Sequence, residues 1–190
     1  MAIADSDYKF IAIDVGSPER FSDGSIFNPS VVAKKMMEDT LHIPSPAVLS
    51  PIEDPMPFVF VGGEAFPLFE NLMRPYPKRS VTDNDEKKVF NYRLSRARQT
   101  VECSFSILAS RFRIFRAPFE IKVNSVISVV KAACVLHNYL RNSVAEMSEE
   151  MNEEEMPKDQ LRPLLQSNFT RSSQKALTIR QNFTTYFNTT

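Results

Sequence analysis

The apolar positions of one stretch set the first element. Phe90, Leu94, Ala97, Val101, Phe105 and Leu108 follow one another at steps of 4, 3, 4, 4 and 3, the period of a helix with one apolar stripe. A helix is therefore predicted over Asn84 to Ser110, capped by Asp83 or Asn84, with Asp85 and Glu86 in its first turn. Asn124 to Asn142 is apolar on most sides and predicts a second long helix. Tyr8 to Val15 (YKFIAIDV) and Phe58 to Val61 (FVFV) are short, aromatic and β-branched, as buried strands are. Ser30 to Met37 predicts a short helix with Ser30 or Asn28 near its cap, and Pro67 to Leu72 another, with Pro67 in its first turn. Residues 43 to 57 hold five prolines and predict an irregular connection. MRPYPKRS reads as a proline-broken loop and RFRIFRAPFEI as an extended or turning segment. Met147 to Asp159 is an acidic, low-complexity linker, and ALTIRQNFTTYFNTT predicts a last helix. The sequence has no internal repeats.

Charge changes this picture more than composition does. The 190 residues are 43% hydrophobic with a formal net charge of zero, an ordinary globular balance. Yet residues 1 to 73 carry 4 basic and 11 acidic side chains, whereas 74 to 122 carry 12 basic and 5 acidic. The middle of the chain is the basic face, able to hold a phosphate backbone or to solvate a helix. Cys103 and Cys134 lack CxxC spacing and read as reduced core thiols. No apolar run approaches the roughly 18 to 20 residues that span a bilayer, and the N-terminus MAIADSDYKF lacks the apolar core of a signal peptide.

Candidate chemistry centres on Glu102 and on FVFVGGEAFPL. Glu102 stands one turn after Arg98, where it can form a helical ion pair or present a carboxylate to a cleft. GGEAFPL lacks the spacing and the lysine of a phosphate loop. It reads either as a turn needing positive φ or as the end of a strand where α/β sheets gather ligands. His137 reads as a core histidine, and Asp14 and Asp23 as turn or cap residues around GSPERFS.

Four ordered blocks, YKFIAIDVGSPERFSDGSIF, FVFVGGEAFPLFENLMRPYP, FNYRLSRARQTVECSFSILASRFRIF and VVKAACVLHNYL, resemble the DDE endonuclease domain of PIF/Harbinger-type transposases. The tail IRQNFTTYF resembles that family's C-terminal helix. The resemblance implies an α/β RNase H-like fold, in which two Asp and one Glu hold two Mg2+ or Mn2+ ions about 4 Å apart around a phosphodiester. The family's Glu maps to Glu102. Its second Asp maps to Gly63, leaving that position vacant, with Glu64 beside it as a weak substitute. Its first Asp belongs to an Asp-Gly strand placed upstream of Ala2, so the resemblance predicts an N-terminally truncated, incomplete sheet lacking that strand and the upstream DNA-binding helices. Ser106 and Glu19 stand where glycines are usual.

The expected organisation is a partial endonuclease domain over 1–142, an acidic linker over 143–160 and a helical tail over 161–190. The expected function is that of a transposase-derived, endonuclease-like protein with impaired metal binding and cleavage. A non-catalytic DNA- or protein-binding module is the alternative, and an intact nuclease would need acids supplied from elsewhere. Arg74, Lys78, Arg79, Arg93, Arg96 and Arg111 are the candidate contacts to DNA. The resemblance further implies a Myb-like partner protein and a nuclear location, and no membrane partner is expected.

Overall fold

The structure, a computed structural model, describes residues 1–16, 26–50, 52–145 and 172–189. Asp23, Glu19 and the acidic linker over Met147 to Asp159 lie outside them. The chain is mixed α/β, with four helices and three two-stranded sheets among the described residues. It divides into two compact units, Met1–Pro18 with Thr100–Pro163 and Glu19–Gln99 with Leu164–Thr190.

In the first unit, β1 (Ala2–Ala4) pairs antiparallel with β2 (Phe10–Ile13). The predicted strand over Tyr8 to Val15 is thus shorter, and its polar lead contains a strand of its own. The hairpin between them is built by Asp5, whose Oδ1 accepts the N–H groups of Asp7 and Lys9 at 2.9 Å. This Asx turn carries Tyr8 at φ 62, a conformation that costs a side-chain-bearing residue energy and needs support.

That support comes from α3 (Val123–Ala145). Asn138 grips the backbone of Phe10 twice, accepting its N–H at 2.8 Å and donating to its carbonyl at 2.9 Å. His137, fully buried, stands 2.7 Å from the Tyr8 carbonyl, so its Nε2 is the donor. Arg141 donates to the Asp7 carbonyl at 3.0 Å and lies over the Tyr8 ring. The core beneath joins Phe10, Leu108, Ala133 and Cys134.

The 20 residues Val123–Asn142 are long and apolar enough, by length and composition, to cross a bilayer, contrary to the expectation that no run approaches that length. Lys131 interrupts the sequence but not the mean. The helix nonetheless uses two polar residues of its C-terminal half, His137 and Asn138, on the β2 hairpin.

In the second unit, α1 (Val31–Met37) is capped by Ser30, whose Oγ accepts the Ala33 N–H at 3.1 Å. The proline-rich stretch is a hairpin rather than an irregular connection: β3 (Ala47–Leu49) pairs antiparallel with β4 (Ile52–Met56). A two-stranded ribbon tolerates Pro55 because each strand has a free edge, where a missing N–H breaks no ladder. Of FVFV, only Phe60–Val61 (β5) is strand, parallel to β6 (Leu72–Met73). The helix expected over Pro67 to Leu72 does not form. Its place is taken by a turn, with Phe66 N–H bonded to the Gly63 carbonyl, and by reciprocal bonds between Phe69 and Leu72. Six residues are too few to repay helix nucleation when a strand partner is available.

Asn84 caps α2 (Asp85–Arg111), accepting the Lys87 N–H at 2.9 Å. Phe90 and Leu94 are buried as predicted, but Ala97 is exposed and Phe105 is 46% exposed. Ser104 is fully buried in their stead, its hydroxyl satisfied by the Thr100 carbonyl at 2.8 Å. RFRIFRAPFEI contains a short 3-10 turn over Arg113–Arg116. The last helix, α4 (Gln174–Thr189), lays Ala176 and Ile179 into a core with Met56, Leu68, Met73, Tyr76, Phe90 and Leu94.

Candidate functional site

Two features of the second unit bear on chemistry, and both are held by polar clamps. The loop after β6 places Tyr76 in the core, where Asn91 of α2 accepts the Tyr76 N–H at 2.8 Å and donates to its carbonyl at 3.0 Å. Arg74 reaches back from the same loop to the GGEAFPL turn, its Nη1 donating to the carbonyls of Phe66 at 3.2 Å and Glu64 at 3.4 Å. The turn is thereby fixed by a half-buried cation rather than by a helix.

The two glycines of that turn differ. A Cβ at Gly62 would meet Phe66 Cβ and Cγ at 3.1 Å, so a side chain there would require Phe66 to give by a few tenths of an ångström. For a Cβ at Gly63 the three nearest atoms belong to the Arg98 guanidinium, at 3.4 to 3.6 Å, which is ordinary contact. Among the described glycines only Gly16 has positive φ, so the expectation that this turn needs a left-handed residue is not met at either position. Gly63 is a place that could carry a side chain and does not. What faces it is a guanidinium.

Glu64 is exposed at the turn, and its carbonyl, not its carboxylate, is in use. Glu102 is half-buried on α2, one turn beyond Arg98. Asp14 is half-buried, and its backbone pairs with Met1. Among the described residues no three of His, Cys, Asp and Glu converge as a metal would require. A pair of divalent ions needs several carboxylate oxygens to offset its charge. The described residues do not fit such a pair.

The basic candidates are better disposed. Lys78 and Arg79 lie exposed on a 3-10 turn (Lys78–Ser80), and Arg93 and Arg96 lie exposed on α2. Tyr92, Arg93 and Arg96 line an open surface concavity of about 500 Å3. Arg93 lies 5.7 Å above the Phe187 ring, which orients its guanidinium. Arg111 is exposed in the first unit. Tyr92, 63% exposed between two arginines, is a residue that the sequence reading passed over. The signal was an aromatic off the apolar stripe of α2, among cations.

Residues 1–138 match a family described as DDE superfamily endonuclease, so a mixed α/β fold carrying Glu102 on its long helix is set within a known nuclease class. The chain belongs to that family. Its members typically use divalent metals. No match was found among curated proteins or among solved structures.

Proposed function

We propose that the chain is a Harbinger transposase-derived protein with an RNase H-like ancestry, which binds DNA through its basic surface and has impaired phosphodiester cleavage. The observation that carries this reading is Gly63 against Arg98. Where the resemblance puts a metal-binding aspartate, a cation stands over an empty Cα, and a cation there repels the ions that the ancestral reaction needs. Glu102 alone cannot offset them. The four quoted sequence blocks support the Harbinger assignment, and with it a nuclear location and a Myb-like partner. The α3 helix is read as a packing helix with no membrane partner.

Lys78, Arg79, Arg93 and Arg96 present cations for backbone phosphates, with Tyr92 offering a ring on which an unpaired base can stack. Arg111 offers a further cation on the first unit by itself, and Arg74 serves the second unit's set by holding the turn. Binding of a duplex oligonucleotide measured from 50 to 200 mM salt tests the reading. Four phosphate contacts give a slope of log K against log salt of about −3.6, and each Arg→Ala change lowers that by about 0.9. A flat response removes DNA from the account and leaves a protein-binding module.

A further inference from the structure

Arg180 of α4 is 8% exposed, yet among the described residues it has no ion pair, and Tyr76 is its side-chain hydrogen-bond partner. It lies 4.0 Å over the Tyr76 ring, and its Nε is buried without an acceptor. Arg74 stands near enough to repel it, and the Nε of Arg74 is also buried without an acceptor. A third cation, the half-buried Lys87, holds its Nζ 5.1 Å from the same ring. No carboxylate acts on Arg180, and two of the described acids are paired with other lysines, Glu70 with Lys175 at 2.6 Å and Asp85 with Lys88 at 2.7 Å.

A buried guanidinium without an anion is among the costliest arrangements a fold can keep, and a cation–π contact offsets only part of it. Burial holds the Arg180 guanidinium below its ordinary range, an effect that Tyr76 opposes and Arg74 adds to. The Tyr76 hydroxyl is engaged by Thr184 at 3.0 Å and Gln181 at 3.3 Å, so the ring between the cations is held in place.

We propose that Arg180, Arg74 and Lys87 form an oxyanion site around Tyr76 that takes a phosphoryl group. The two orphaned Nε donors supply directional hydrogen bonds and Lys87 a third charge. A doubly charged phosphate answers three cations better than a carboxylate, which would leave most of their repulsion standing. The group can come from free phosphate or from a DNA backbone. Arg180 and Lys87 lie outside the side chains on which the DNA reading rests, and Arg74 is shared with it only through the turn that it holds.

The test is thermal unfolding of the full chain in sodium phosphate, sodium acetate and sodium chloride at equal ionic strength. Phosphate is expected to raise the midpoint saturably, as ligand linkage requires, while acetate matches chloride. Arg180→Met should melt no lower than the native chain in chloride, because it removes an unpaired buried charge, and should lose the phosphate response. Lys87→Met, at a half-buried position, keeps the proposal testable if Arg180→Met fails to fold, and should weaken phosphate binding several-fold. A short duplex that displaces phosphate, and binds less well to Arg180→Met, identifies the backbone as the source. Unchanged duplex binding with a lost phosphate response identifies free phosphate. A phosphate midpoint equal to that in chloride, or a response intact in both variants, overturns the site.

Discussion

Replacing Asn138 by Ala should unfasten α3 from the β1–β2 hairpin. Its side chain makes two bonds to one residue, 2.8 Å from the Phe10 nitrogen and 2.9 Å to the Phe10 carbonyl, and Phe10 is only 6% exposed. Truncation leaves a buried N–H and a buried C=O without partners, each costing about 1–3 kcal/mol, so the pair costs about 2–6 kcal/mol. That is a large part of a typical domain stability of about 5–15 kcal/mol. Amide hydrogen exchange at Phe10 reads the local opening, and at 1.4 kcal/mol per factor of ten the rate should rise by about 30-fold or more. Asn138→Asp should be nearly as damaging, since a carboxylate can accept the N–H but has nothing to donate to the carbonyl. Val135→Ala on the same helix, at a position 67% exposed, should change stability by less than about 0.5 kcal/mol. If Phe10 exchanges equally slowly in Asn138→Ala and in the native chain, the clamp does not hold the hairpin and the description of this unit is wrong.

Three further outcomes are expected. Phe90, fully buried with its ring 5.2 Å from Tyr76 and 5.8 Å from Phe187, should cost about 3–5 kcal/mol when cut to Ala. A urea midpoint that corresponds to less than 1 kcal/mol, on the order of a surface change, would contradict its place in the core. Burial raises the Cys134 thiol above its ordinary value of 9.0. Its contribution is therefore complete below pH 9.0 and is lost as pH climbs through that value towards the raised one. Stability measured from pH 7 to 10 should decline less in Cys134→Ala than in the native chain, and parallel declines would refute the assignment. Gly63→Asp should fold at least as stably as the native chain, its carboxylate meeting Arg98. A marked loss of melting temperature would show that the position cannot take a side chain.

The long helices were legible because a 3.6-residue period over more than 20 positions outweighs any single residue, as α2 and α3 show. What the period could not reveal was the change of face along α2, where a self-satisfied serine replaces Ala97 and Phe105 in the buried line. Short strands were read with less success because their stability is supplied by partners distant in sequence. Pro55 concealed a hairpin whose edges have no need of its N–H, and Pro67 suggested a helix where β6 offered β5 a parallel neighbour. Asn91 in a charged helix and Asn138 in an apolar one carried no signal, although each grips an extended segment by both backbone groups. At the candidate site, only the mapping of an acid position onto Gly63 was legible, and it came from the resemblance. The guanidinium that faces it, and the three cations around Tyr76, were not, because they meet only through the folded chain.

Under the proposed function, the Arg98 guanidinium over Gly63 stands where the endonuclease reaction needs an acid. Conversion of supercoiled plasmid to nicked circles by the purified chain, in Mg2+ or Mn2+, tests it most directly, with Glu102→Gln alongside. The account predicts no nicking above background in either protein. Metal-dependent nicking that disappears in Glu102→Gln would contradict it.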